Sequence, residues 1–242
     1  MTAPRISVII PYYNAARYLG EALASIEAQD YPATEIIIVD DGSDAENTAK
    51  LSTLKAKILR QDNQGPAAAR NFGIQHATGE LIAFLDADDK WPADKIALHL
   101  AEFTREPTLE LVSGRVKYEW DDGVKDPPLL FAADNTLFYV HLGAVLARRG
   151  VFDKTGLFDG ALRFSEDHDW WLRVREKQIA YSILDRPTLI YRRHADNMTR
   201  GKDLKDFGML EILKRSLDRR RKAAAQGTAQ EMSTFQSHIK SS

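Results

Sequence analysis

The chain has 242 residues, 44% hydrophobic and 28% charged, which suffices for one large α/β core with an appendage. Lys plus Arg (33) nearly balance Asp plus Glu (35), and a net charge of −2 excludes whole-molecule attraction to nucleic acid. With no Cys, disulfides, thiolate metal sites and thiol nucleophiles are excluded as well.

The N-terminus enters an apolar strand within a few residues and then meets Pro11 and Asn14, so it lacks the longer apolar core and cleavage site of a signal peptide. No run approaches the roughly 20 apolar residues of a membrane span, and a soluble, cytoplasmic protein is expected. Short Ile- and Val-rich runs then alternate with helical stretches, the pattern of a mostly parallel, doubly wound sheet. Strands are predicted at Ile6 to Ile10, Glu35 to Val39, Lys57 to Arg60 and Leu81 to Leu85. Helices are predicted at Ala15 to Ala28, Ala45 to Leu54, Pro66 to Ala77 and after Pro92. From about Leu109 the texture changes: Val112 to Trp120 reads as a longer strand and Asp121-Asp122-Gly123 as a tight turn. Strands at Leu137 to Ala147 and Ile179 to Leu184 surround a helix beginning near Ser165. No linker separates the halves, so one domain over 1–200 is expected, with a doubly wound half to about 108 and a mixed half from 109. Residues 201–226 are expected to form an amphipathic helix, with Phe207, Leu210, Leu213 and Leu217 at helical spacing and Arg219 to Lys222 at its end. Either that stripe packs on the domain and the cations suit the helix dipole, or the helix is a basic foot on an anionic membrane. The tail, 227–242, reads as flexible.

Two strands end in acidic clusters, Asp40-Asp41-Gly42-Ser43 and Asp86-Ala87-Asp88-Asp89. Strand ends of a parallel sheet share one edge, where open α/β sheets bind ligands. Five carboxylates there repel one another unless a cation or donors intervene. An all-oxygen set without Cys points to Mn²⁺ or Mg²⁺ and hence to a phosphate-bearing substrate. Each cluster alone reads equally as a turn and helix cap. Gly65-Pro66 opens a small-residue helix whose N-terminus suits an anion. Glu166, Asp167 and Asp169 precede an apolar helix, where acids are also favourable for electrostatic reasons alone.

These segments together resemble the family 2 nucleotide-sugar glycosyltransferases, whose fold is the Rossmann-like GT-A type. The resemblance covers about Ile6 to Arg200 and rests on Val8 to Asn14, Val39 to Ser43, Asn63 to Asn71, Phe84 to Asp89, Glu166 to Arg173, and Tyr191 to His194 with Asn197. It implies that Pro11 and Tyr13 line the base pocket, that Asp40 accepts from the base (most often uracil) and that Asp86 contacts the ribose. It places Arg70 near the donor, Asp88 on a metal bridging the two phosphates, and His194 beside that metal or the diphosphate. Asp167 corresponds to the general base. Of Trp170 and Trp171, at least one reads as core, and the other as a surface on which a sugar stacks.

The implied chemistry is an inverting, metal-assisted direct displacement that moves the sugar of a nucleotide diphosphate onto a carbohydrate, lipid-linked or other hydroxyl acceptor, with one carboxylate as general base. Rival readings are a sugar-phosphate nucleotidylyltransferase, which the non-glycine loop Pro11 to Asn14 disfavours, and a non-catalytic sugar-nucleotide-binding module. A NAD-dependent dehydrogenase is disfavoured because no Gly-x-Gly-x-x-Gly follows the first strand. Acceptor-side residues are expected in roughly Asp121 to Phe138, where the sequence carries no readable code.

Overall fold

The computed structural model describes residues 3–29, 31, 34–124, 135–138, 140–162, 164–198, 200, 202, 206–228 and 239–240. Its centre is a parallel unit of β1 (Ile6–Tyr12), β2 (Thr34–Asp41), β3 (Lys57–Gln61) and β4 (Leu81–Phe84), with β1 paired to both β2 and β4. Every residue of β1 except Pro11 is buried, because helices cover both faces. Alternation divides its side chains: Val8, Ile10 and Tyr12 enter one apolar cluster with Leu19, Ala22 and Ile26, and Ile9 enters a second with Ile74, Phe84 and Trp170. The first cluster is capped by α1 (Ala16–Glu27), whose Leu19, Ala22 and Ile26 recur at helical spacing. The second is capped by α3 (Pro66–His76) and α6 (Glu166–Glu176). Helix α2 (Ala45–Leu51) opens on Asp44, whose carboxylate accepts from Asn47 N at 2.8 Å.

The mixed half continues the same sheet. β7 (Leu146–Arg148) runs antiparallel to β4 and to β5 (Leu111–Trp120), and β8 (Tyr181–Arg193) runs parallel to β5. The order is β3-β2-β1-β4-β7-β5-β8-β9, where β9 is Ile239–Lys240, with β6 (Thr136–Leu137) paired to β5. α4 (Lys95–Arg105) follows Pro92 as expected, and a short helix α5 (Gly150–Thr155) follows β7. Asp121-Asp122-Gly123 forms the expected turn, with Gly123 at φ 81° and Val124 N donating to Asp121 O at 3.1 Å.

Three expectations change. The strand expected over Leu137 to Ala147 is instead β6, an irregular segment, a 3₁₀ turn at Leu142–Ala144 and β7. An apolar run without alternation does not distinguish these from one strand. The stripe on the last helix, α7 (Met209–Ala225), faces outward: Leu210, Leu213 and Leu217 are exposed at 83%, 48% and 43%. α7 packs instead through buried Ile212 and Ser216 and through Arg219, which donates to Glu176 and to Asp169 of α6. Within the tail, Ile239–Lys240 form β9, which extends the sheet beside β8; Gly227 and Thr228 hydrogen-bond back to the end of the last helix, and 229–238 and 241–242 lie outside the described residues.

Candidate active site

β1, β2 and β4 are parallel, so their C-terminal ends open on one edge. β7 is antiparallel to β4 with Leu146 opposite Ala83, which brings the residues preceding β7 to that same edge. β8 finishes there too: Lys90 and Ile190 exchange backbone hydrogen bonds of 3.0 and 2.8 Å, and Arg192 N donates to Asp89 Oδ1 at 2.9 Å. His194, one residue past β8, therefore meets Asp88, with Nε2 2.8 Å from Oδ2. Asn197 accepts from His194 N at 2.6 Å and fixes the turn behind it.

The five strand-end carboxylates do not form one cluster. Asp40 is 0% exposed; Ser43 N donates to its Oδ1 at 2.9 Å, and Thr48 Oγ1 and Arg60 Nη1 donate to its Oδ2. Asp41 accepts from Gln61 Nε2, Gln64 N and Gly65 N at 2.7 to 2.9 Å, which holds the entry to α3. Both are satisfied within the protein, so a cation is not required to explain them. Asp86, Asp88 and Asp89 make the second group. Burial pushes the Asp89 carboxyl well above the usual carboxylate range, and the charges of Asp88 and Asp86 push it further. Burial also acts to raise Asp86, but Arg70 and His141 outweigh it and hold that carboxyl below its ordinary value.

Arg70 joins the two halves of the site. From the second turn of α3 its buried guanidinium donates to Asp86 Oδ1 at 2.6 Å and to Glu166 Oε1 at 2.5 Å. Burial raises the Glu166 carboxyl, and Arg70 only partly offsets this. Glu166 and Asp167 open α6 behind Ser165, a non-glycine residue held at φ 61°. The Asp167 carboxylate accepts from His168 N and pairs with His168 Nδ1, both at 2.8 Å. Burial opposes ionisation of Asp167, yet these contacts hold its carboxyl below the usual range and lift His168 above its own. Asp167 is thus ionised and partly open at the edge that carries Asp86.

Of the residues expected to bind the nucleotide, Pro11 is half-buried and Tyr13 is 55% exposed just beyond β1. Trp170 and Trp171 are both buried, which removes the expectation that one stacks on a sugar; Trp170 stacks on Phe152, with centroids 5.3 Å apart, and donates to Thr155 Oγ1. The segment expected to carry acceptor contacts lies largely outside the described residues, at 125–134. His141 escaped the sequence reading. It precedes the run Leu142 to Leu146, and only Gly143 hinted that this run is broken. His141, Asp86 and Asp89 each offer a ligand atom within 4.8 Å of the others.

The model of glycosyl transferase family 2 matches residues 7–183. The uncharacterized glycosyltransferase EpsJ of Bacillus subtilis (strain 168) is 30% identical over 219 residues, covering 81% of this chain and 63% of that protein. The chain thus spans less than two thirds of that relative's length. Residues 1–349 of S. aureus TarS, solved in complex with UDP-GlcNAc, match with a TM-score of 0.67 at 23% identity, over 88% of this chain and 65% of that one. The mannosyltransferase PcManGT from Pyrobaculum calidifontis, solved with GDP-Man and Mn²⁺, matches with a TM-score of 0.61 at 18% identity, over 93% of this chain and 76% of that one. At these identities the structural likeness speaks for the fold.

Proposed function

This chain belongs to glycosyl transferase family 2 and has the GT-A fold, and on that premise we propose that it transfers a sugar from a nucleotide diphosphate, a UDP-sugar in the first instance, to an acceptor hydroxyl with inversion. The observation that carries the reading is the Arg70 bridge, which fixes Asp86 after β4 and Glu166 beside Asp167 around one guanidinium. A donor-side carboxylate and an acceptor-side carboxylate so joined suit a single displacement. The TarS complex with UDP-GlcNAc supports a sugar nucleotide, and uracil is the base for which Asp40 would serve once the half-exposed Arg60 gives way. Pro11 and Tyr13 would flank that base, and Asp86, still about a quarter exposed, would take the ribose.

The donor set fits a hard divalent cation. Asp88 and His194 offer a carboxylate oxygen and an imidazole nitrogen 2.8 Å apart, and the Asp89 carboxyl beside them is raised by burial first and by its acidic neighbours second. Asp88 and His194 would hold Mn²⁺ or Mg²⁺, which supplies Lewis-acid stabilisation of charge on the departing diphosphate. The Mn²⁺ complex of PcManGT supports the same choice. Asp167 takes the proton of the acceptor hydroxyl as its oxygen attacks the anomeric carbon, and the C–O bond to the diphosphate breaks on the opposite face. No covalent intermediate on the protein is needed. His168 keeps Asp167 ionised and oriented.

Among the described residues no helix is long and apolar enough to cross a membrane. A cytoplasmic protein that rests on an anionic membrane and reaches a lipid-linked acceptor is part of this proposal, and the outward leucines of α7, flanked by exposed Lys214, Arg221 and Lys222, support its membrane contact.

The test is Asp167→Asn in single-turnover transfer with saturating donor. Asn preserves size but is no useful base, so the chemical step should fall by about 10² or more with donor affinity kept. Near-normal turnover would sink the assignment of the base.

A further inference from the structure

His141 lies at the centre of the edge that carries the donor and acceptor carboxylates, and no step so far uses it. Asp86, Asp167 and Asp88 all act electrostatically on its ring, which is itself largely buried. Its Nδ1 accepts from Gly143 N at 3.1 Å, so the neutral ring carries its proton on Nε2 and is a donor there. That Nε2 stands 4.0 Å from Asp89 Oδ2. Asp89 is 1% exposed, and this oxygen has no hydrogen-bond partner among the described residues. Unsatisfied buried carboxylate oxygens are uncommon. A donor and an acceptor 4.0 Å apart are too distant to bond each other, yet one hydroxyl between them satisfies both, accepting from the first and donating to the second.

The turn that presents His141 is held with unusual investment of buried polar groups. Gly143 O accepts from Trp91 Nε1 and from Lys95 Nζ, and Ala144 O accepts from Thr188 Oγ1 and contacts His99 Nε2, both at 3.1 Å. Lys95 is 0% exposed, and its contacts are to backbone carbonyls of this turn. A Cβ at Gly143 would stand 2.8 Å from Leu189 Cδ1 and 3.1 Å from His141 Nδ1, so glycine allows the turn to seat against β8. With Gly143 fixed from below, its N–H stays on Nδ1, and the His141 donor keeps its direction.

We infer that His141 and Asp89 form a specificity pair that binds one hydroxyl of the transferred sugar. The inference rests on the proposed sugar transfer, because the space between the diphosphate side (Asp88) and the base (Asp167) is where that sugar would lie. It names the contact through which the site would choose among donors with the same nucleotide.

The experiment uses the full chain with Mn²⁺ and compares affinity for UDP with affinity for UDP-Glc, UDP-Gal and UDP-GlcNAc. His141→Phe keeps a ring against Tyr191 but removes the donor; His141→Gln keeps a donor. In His141→Phe the affinity for the preferred UDP-sugar should fall about tenfold, with UDP affinity unchanged, and His141→Gln should recover part of the loss. Discrimination among the three donors should narrow in the same variant. Equal weakening of UDP and UDP-sugar would overturn the inference and move His141 to the diphosphate or its cation. Unchanged affinity for every donor would overturn it too. If the unaltered chain binds UDP but none of the three sugars more tightly or more slowly exchanging than UDP, and transfers none, sugar transfer itself fails and the inference with it. Failure confined to the variants, with donor use intact, would remove the specificity pair alone.

Discussion

Arg70→Met removes the cation that holds Asp86 and Glu166 together while keeping a side chain of similar reach. The side chains of Arg70 and Glu166 are 6% and 9% exposed, and that of Asp86 is 27% exposed, so the substitution strands one buried carboxylate and one partly solvated one. Breaking a buried ion pair by deleting one partner costs about 3–5 kcal/mol, and solvent around Asp86 places the expectation at the lower end. For a chain of this size that is a fall in Tm of roughly 6–12 °C, taking about 2–4 °C per kcal/mol and a loss of about 3 kcal/mol. The loss should depend on pH. Burial already raises the Glu166 carboxyl above its ordinary value, and without Arg70 it rises further. A group whose folded pKa is raised is accommodated below its unfolded pKa and becomes destabilising as pH climbs through the folded value. The variant should therefore lie closest to the parent near pH 5 and furthest below it near pH 8. Urea unfolding at both pH values measures this, and Arg70→Met with Glu166→Gln should regain a large part of the loss, because the stranded charge is gone. A loss under about 1 kcal/mol at pH 8, or the same loss at pH 5 and pH 8, would refute a buried charge bridge between the two halves of the site.

Two further outcomes test separate parts of the site. Asp88→Asn should abolish the Mn²⁺-dependent gain in UDP affinity with little change in Tm, because this side chain is 28% exposed at the loop edge; calorimetry with and without Mn²⁺ reads it, and an unchanged metal-dependent gain would refute the ligand. Leu213→Glu with Leu217→Glu should leave stability within about 0.5 kcal/mol, since both leucines are exposed, and should end co-sedimentation with phosphatidylserine vesicles at low salt; an unaltered chain that does not sediment would refute the membrane face.

The donor half was legible because each of its strands carries its own signal: an apolar run, a strand-end Asp cluster, and a helix opened by Gly65-Pro66. The first four strands lie where those runs predict them, and α3 begins at Pro66 as expected. The second half was read less well for physical reasons. β8 extends to Arg193, well past the expected Leu184, because its later residues gain their pairing from β5 rather than from local pattern. The leucines of α7 gave a correct helix but the wrong inner face, since the packing is carried by Ile212, Ser216 and the ion pairs of Arg219, which a hydrophobic pattern does not see. The Asp40 and Asp41 carboxylates looked like part of a cation site and are instead satisfied by donors that only the folded loop supplies. His141 stands in an apolar run that reads as strand, and its place beside Asp89 follows from pairing between β4 and β7, a long-range fact.

That dependence on pairing is clearest for Asp88 and His194, which lie at the ends of different strands. Leu111 pairs with Tyr181 but Trp120 pairs with Arg193, so β8 takes up three more residues than β5 between those points, in irregular steps around Gly114 and Arg115. At about 3.3 Å per strand residue, an unbroken ladder would carry His194 roughly 10 Å further along the edge, beyond reach of Asp88. Gly114 is where the extra residues press: a Cβ there would stand 2.5 Å from Thr188 Cγ2 and 2.7 Å from Arg186 O. The absence of a side chain at Gly114 lets β8 bulge, the bulge sets the register, and the register brings His194 to 2.8 Å from Asp88. The same bulge delivers Thr188, whose hydroxyl donates to Ala144 O in the turn that presents His141. One local irregularity in the sheet therefore positions groups on both sides of the space proposed for the sugar.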